Sequence, residues 1–374
     1  MSNSTKWITG LIVVALIIAG VLSTAGNTSN NETNNPIQVS ATLPLSGEGA
    51  AYAESMRRGI RLAADEVDME VSFADTEGKP TSGVNAYKQV KNQGADVIIG
   101  PVFSSVGQAV GPIAQKDETI LLATAVSSKK VTGIGEYIFS LYPTGDAEGG
   151  AVVDYALNNT NTKRFGIVNS QEDVHVDIAN TAAGKLKDAD VSVAFQETLP
   201  PDTQDFRTVI AKLKNANNPE SVLVLGKKKF TANFIAQAKE LGLASDFYSY
   251  AEMYDESLLD TYGESLNGLT ITAPYFDAKS QDSQIASFRD KFEKRFEQPL
   301  DVWSAYGYDA VMTLNRARQN CSDCDTSDLV KEIKSLSFDG VTGPVRFNEN
   351  GHADKAFRIF QVQNREFVEV GTSE

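Results

Sequence analysis

The sequence predicts an α/β protein built from two doubly wound parallel-sheet lobes. Three observations predict it. From Ile37 onward, short apolar runs of strand type alternate with amphipathic segments of helical period. That alternation restarts after Pro143. At 374 residues, the chain is too long for one small core and long enough to bury two.

The elements follow in order. Strands are expected at Gln38–Leu43, Glu70–Ala74, Asp96–Ile99 and Thr119–Ala123. Between them fall helices at Tyr52–Val67, Ser82–Asn92 and Val106–Gln115; the first carries Met56, Ile60, Ala63 and Val67 at helical spacing. The second unit reads helix Asp146–Leu157, strand Arg164–Val168, helix Val176–Leu186, strand Val191–Ala194 and helix Asp205–Lys214. Strand Ser221–Leu225, helix Thr231–Leu241 and strand Phe247–Tyr250 complete that set. Strand Leu269–Ala273 precedes long helices at Ser283–Phe296 and Trp303–Gln319. Short strand-like segments at Pro344–Phe347, Phe357–Val362 and Phe367–Val370 close the chain. The expectation is two units, each with its own parallel sheet.

Composition bounds the function. The net charge is −15, which leaves no basic surface to displace counterions from nucleic acid or to meet anionic lipid. Residues 1–26 read as a targeting segment: Lys6 precedes the apolar run Ile8 to Leu22, and small residues stand at Ser23 and Ala25. A signal peptide cut after Ala25 and an uncleaved anchor both fit. Either places the body outside the cytoplasm, secreted or tethered. Residues 27–36 form a polar linker with the sequons Asn27-Thr-Ser and Asn31-Glu-Thr; Asn158-Asn-Thr and Asn320-Cys-Ser have the same form. The cysteines are Cys321 and Cys324 alone, and the histidines His175 and His352 alone. Outside the cell a disulfide is the leading reading of the pair, ahead of free thiols; zinc lacks further ligands.

Pattern alone places a ligand at the carboxyl ends of the parallel strands, beside helix starts, and between the units. An enzyme is the rival reading. Gly47-Glu-Gly49-Ala-Ala-Tyr52 mimics a dinucleotide fingerprint, but a bulky Tyr stands where the third glycine must pack. No Gly-x-Ser-x-Gly elbow is present. The two histidines lie in no setting that suggests a triad. No cofactor and no catalytic residue are therefore expected.

Several ordered pieces carry a resemblance. They are Ala41-Thr-Leu-Pro-Leu-Ser-Gly47, Arg58-Gly-Ile-Arg-Leu-Ala-Ala64 and Asp96-Val-Ile-Ile-Gly-Pro-Val-Phe-Ser-Ser105. Further on come Asp205-Phe-Arg-Thr-Val-Ile-Ala-Lys-Leu-Lys214, Tyr306-Gly-Tyr-Asp-Ala-Val311 and Gly340-Val-Thr-Gly-Pro-Val-Arg-Phe347. From Ile37 to Val370 the chain resembles the solute-binding proteins of ABC importers for branched-chain amino acids and amides. The resemblance implies the type I periplasmic-binding-protein fold, with three crossovers near Pro143, Pro274 and Phe357. Lobe 1 would comprise residues 37–143 plus 274–357, and lobe 2 residues 144–273 plus 358–374. The implied function is capture of an amino acid, amide or small carboxylate by a monomer that delivers it to a membrane permease. A sensor ectodomain with a separate signalling partner is the alternative.

The resemblance also implies site residues. Ser104, with Ser105 beside it, matches the hydroxyl that binds the ligand carboxylate. Val126 and Ser128 match the carbonyl and hydroxyl of the fourth-strand loop. Tyr52 matches the aromatic covering the side-chain pocket. In the second lobe the chain departs from the pattern: Val174 and Lys227 stand where amino-acid binders place tyrosines. Glu252 is the candidate acid for the ligand ammonium, one position out of register, with Ala251 in the expected slot and Tyr250 beside it. If Lys227 faces the cleft, it favours an anionic ligand or one without a free amine.

Overall fold

The structure is a computed structural model and describes residues 37–47, 49–216, 218–274, 276–321 and 324–373. The apolar N-terminal stretch, the cut after Ala25, and the sequons at Asn27 and Asn31 lie outside these residues. So does Ser322 of the Asn320 sequon. No helix among the described residues is long and apolar enough to cross a membrane.

The chain runs β1 (Val39–Leu43), α1 (Ala50–Glu66), β2 (Val71–Asp75), α2 (Pro80–Asn92), β3 (Val97–Ile99), α3 (Ser104–Lys116), β4 (Ile120–Ala123), α4 (Lys129–Thr132) and β5 (Ile138–Ser140). It continues with α5 (Gly145–Asn159), β6 (Arg164–Ser170), α6 (Asp173–Asp188), β7 (Ser192–Leu199), α7 (Arg207–Asn215), β8 (Ser221–Leu225), α8 (Lys228–Glu240), β9 (Asp246–Ser249), α9 (Glu256–Tyr262) and β10 (Thr270–Pro274). Then come α10 (Ser283–Phe296), α11 (Val302–Gln319), α12 (Thr326–Ser335), the hairpin β11 (Ser337–Gly340) and β12 (Gly343–Arg346), β13 (Phe357–Gln363) and β14 (Glu366–Thr372).

The first sheet has the order β2-β1-β3-β4-β5 and is parallel throughout. The second has the order β14-β13-β10-β9-β8-β6-β7. Its strands β6 to β10 are parallel, and they repeat the first sheet's order as 2-1-3-4-5. β13 and β14 join antiparallel. The second sheet is thus mixed, not purely parallel, because its last two strands are joined by a hairpin and not by a helical crossover. In both sheets the order reverses between the first and third strands, and the crevice outside that switch point is where such sheets receive ligands.

Burial explains the strands. β1, β3, β4, β5 and β8 are buried along their whole length, as strands covered by helices on both faces must be. The first core joins sheet one to α10, α11 and α12 through Phe288, Phe292, Leu314 and Ile333. Two further cores lie on sheet two, one around Phe206, Phe234 and Leu266, the other around Phe165, Ile178 and Tyr248.

Helices α1 and α11 cross at glycines. A Cβ on Gly59 would lie 1.9 Å from Ser304 O, and one on Gly307 would lie 2.3 Å from Met56 O. Asp301 caps α11 by accepting from Ser304 N at 2.8 Å, and Ser55 Oγ of α1 donates to the same carboxylate at 2.6 Å. Expected helix bounds shift by a few residues. α7 opens at Arg207 and not at Asp205, whose carboxylate instead accepts from Arg207 N at 3.1 Å. β5, α9 and β11 are too short to show a period.

The chain passes between the sheets three times, and the crossings are bonded to one another. Ser140 N donates to Gly351 O and Ala353 N donates to Ser140 O, each at 2.8 Å. His352 Nδ1 donates to Tyr142 O at 3.0 Å. Pro274 pairs with Phe357 across β10 and β13, and Arg358 donates to Phe276 O at 2.7 Å. Cys321 and Cys324, between α11 and α12, are joined in a disulfide with their Cα atoms 5.6 Å apart.

Candidate ligand-binding site

The two switch points bring specific loops to the cleft. In lobe 1 these precede α1 and α3. α3 begins at Ser104, and no side chain caps its first turn, so its leading N–H groups are open to an anion. Ser104 is half-buried and Ser105 exposed. The β4 loop places Ser128 at only 3% exposure. Val126 is buried, and its carbonyl already accepts from Ser140 Oγ at 2.7 Å.

Lobe 2 supplies a polar wall after β6, β8 and β9. His175, 1% exposed on α6, is its centre. Tyr250 donates to Glu252 Oε2 at 2.6 Å. The Tyr250 oxygen is then left to accept from His175 Nε2, and His175 Nδ1 accepts from Ser170 Oγ at 2.6 Å. Burial holds the imidazole at about 3, aided by the Lys227 charge, so the ring is neutral in this relay. Burial raises the Glu252 carboxyl, while Tyr250, Lys227 and Lys228 oppose that rise. Lys227 lies 3.5 Å from Glu172 and is about half exposed.

Glu148 holds the backbone at Ala251. Its Oε1 accepts from Ala251 N at 2.8 Å and from Thr272 Oγ1 at 2.9 Å. The backbone of Ala251 is thereby tied to Glu148, while the next side chain, Glu252, is bonded to Tyr250. Burial lifts the Glu148 carboxyl from 4.5 to about 7. Between those values the folded chain keeps a proton that the unfolded chain loses, so this contribution to stability is complete below about 4.5 and fades as pH rises. Glu148→Gln should remove that slope, a difference of order 3 kcal/mol across the window. Urea unfolding of both proteins at several pH values measures it; parallel pH profiles would refute the assignment.

The lobes meet directly. Lys228 Nζ donates to the Tyr52 hydroxyl across the cleft and to Asp255 on its own lobe. The Tyr52 ring lies 5.4 Å from Trp303, with Lys228 Nζ 4.9 Å from the Tyr52 ring centre. Gln108 Nε2 donates to Asp173 at 3.3 Å, and Lys130 lies 3.4 Å from Asp173. Of the lysine run, Lys228 reaches lobe 1 through Tyr52, which sequence reasoning missed; Lys227 stands at the position before α8 and lies beside Glu172. Glu148 was missed as well, since an acidic residue in a helix's first turn reads as a dipole partner. Val174 lines a small crevice shared with Ser128 and the first crossover.

The sequence pattern of the periplasmic binding protein family matches residues 36–366. The chain belongs to this family. A relative is the Leu/Ile/Val-binding protein of Escherichia coli K12, 25% identical over 347 residues that cover 90% of this chain and 92% of the relative. A leucine-binding protein of Thermotoga maritima superposes with a TM-score of 0.81 at 22% identity, covering 90% of this chain and 99% of that one. A solute-binding protein of Rhodopseudomonas palustris in complex with p-hydroxybenzoic acid superposes with a TM-score of 0.79 at 17% identity, covering 90% and 97%. In this periplasmic binding protein, His175, Tyr250 and Glu252 are hydrogen-bonded in sequence along the second lobe.

Proposed function

We propose that this protein is the extracytoplasmic ligand-capturing component of an ABC importer, that it works as a non-catalytic monomer, and that its ligand is a small amino acid. The observation that carries the ligand class is the opposition of two unlike walls. Lobe 1 offers the uncapped start of α3 at Ser104 to a carboxylate. Lobe 2 faces it with Glu172, Asp173, Asp177 and Glu252 against Lys227 and Lys228. A zwitterion satisfies both walls, whereas a plain carboxylate satisfies only the first. The relative named for leucine, isoleucine and valine supports the same class.

Thermal shift with leucine, isoleucine, valine, threonine, alanine and p-hydroxybenzoate tests the reading. A ligand at one hundred times its Kd stabilises the folded state by about 2.7 kcal/mol, so an amino acid should raise the midpoint clearly. Stabilisation by p-hydroxybenzoate alone would move the ligand class to aromatic acids. No response to any of them would overturn the amino-acid reading.

A further inference from the structure

We propose that Glu148 couples ligand capture to proton release: it keeps a proton while the cleft is empty and yields it to solvent when a zwitterion binds. The inference rests on the amino-acid reading above and deepens it. Glu148 acts on the ligand through the loop at Ala251 and Glu252, and is therefore a positioning residue.

Glu148 stands in the first turn of α5, directly after the first crossing between the sheets. Its Oε1 holds the loop after β9 through Ala251 N. The same oxygen holds β10, which leads into the second crossing, through Thr272 Oγ1. The side chain is buried, and no cation among the described residues pairs with it. The groups that face it are acidic or phenolic. Glu252, the residue after Ala251, adds a like charge. Tyr250 before the loop, Tyr142 of the first crossing and Tyr306 of α11 all feel the Glu148 charge. On α6, His175 is neutral and Glu172 repels Glu252. The cations act elsewhere: Lys227 and Lys228 on Glu252, Lys355 on Asp309, and Arg358 of β13 on Glu369.

Two neighbouring carboxylates shielded from water do not both ionise readily, and the better-supported one keeps the charge. Here that one is Glu252, which is half-buried, accepts from Tyr250 and is favoured by two lysines. The proton therefore resides on Glu148, which burial lifts to about 7. A zwitterion brings a positive charge to the lobe-2 side and supplies the cation that this pair of acids lacks. The second ionisation then costs less, the Glu148 O–H bond breaks and the proton passes to solvent. The bonds from Ala251 N and Thr272 Oγ1 strengthen as their acceptor becomes charged, so α5 grips the loop and β10 more firmly. A plain carboxylate ligand would act with the opposite sign and hold the proton in place.

Titration calorimetry with L-leucine in two buffers of different ionisation enthalpy counts the protons exchanged. Near neutral pH, wild type should release about half a proton per leucine, and its affinity should rise about tenfold between roughly pH 5.5 and 8. Glu148→Gln keeps an oxygen that accepts from Ala251 and Thr272, so it should still bind but release no proton and show no such rise. Glu252→Gln removes the like charge and should move the half-point of the affinity profile to lower pH. Ligand-free melting checks that each variant folds. Leucine binding by wild type without proton release overturns the proposal and leaves the amino-acid reading intact. Release that persists in folded Glu148→Gln places the proton elsewhere and also overturns it, as does a half-point unmoved by Glu252→Gln. If wild type binds neither leucine nor the other amino acids named above, the amino-acid reading has failed and this inference falls with it.

Discussion

Gly59→Val and Gly307→Val should each cost about 3 kcal/mol or more of stability, the upper range for overpacking. A flexible side chain could swing away from the new atoms, but the obstacles here are backbone carbonyls, Ser304 O at 1.9 Å and Met56 O at 2.3 Å. Relief requires α1 and α11 to separate, which would pull Ser55 from Asp301 and open the core around Met56 and Ile60. Gly184→Ala is the contrast. Gly184 is exposed on α6 with nothing within 4 Å of its added carbon, so alanine should stabilise by roughly 0.5–1 kcal/mol. Denaturant unfolding of the three variants checks both signs. A Gly59→Val protein as stable as wild type would show that the helix crossing is not as close as described.

Asp309→Ala should be the most damaging polar substitution, at about 3 kcal/mol or more, because it leaves several buried donors without an acceptor. Asp309, 1% exposed, accepts from Val341 N at 2.9 Å, Thr342 N at 2.8 Å and Thr342 Oγ1. It also offsets the charge of Lys355, whose ammonium burial lowers to about 8 and which donates to Thr342 Oγ1 at 2.7 Å and Thr342 O at 3.1 Å. Removing the carboxylate leaves a half-buried cation without its offsetting charge and two buried backbone donors without an acceptor. The double variant Asp309→Leu with Lys355→Met should recover the part due to the stranded charge. Equal losses in the single and the double variant would show that the Lys355 charge plays no part in the loss.

The fold was legible because its signals are local. The buried strands Ser221–Leu225 and Ile120–Ala123 are short apolar runs, and Met56, Ile60 and Ala63 mark one helix face. The antiparallel close of the second sheet was not legible, because pairing direction is not written in a strand's own residues. The site divides the same way. Ser104 and Ser128 each stand at a helix start a short loop after a buried strand, so their place can be read from the strand pattern. The contacts of Lys228 and Glu148 depend on partners up to 176 residues away, Tyr52 for Lys228 among them. Nothing in the nearby sequence announces such partners.

The three crossings between the lobes form a ribbon and not three threads. Ser140 is laced to Gly351 and Ala353, His352 to Tyr142, and Arg358 to Phe276. Separate threads would let the lobes twist, shear and bend independently. A laced ribbon flexes across its thin dimension and stiffens the other directions, because any twist must break several of these bonds together. The joint therefore has close to a single mechanical degree of freedom. Whatever fills the cleft, a partner touching both lobe tips would sense one coordinate, the gape between them.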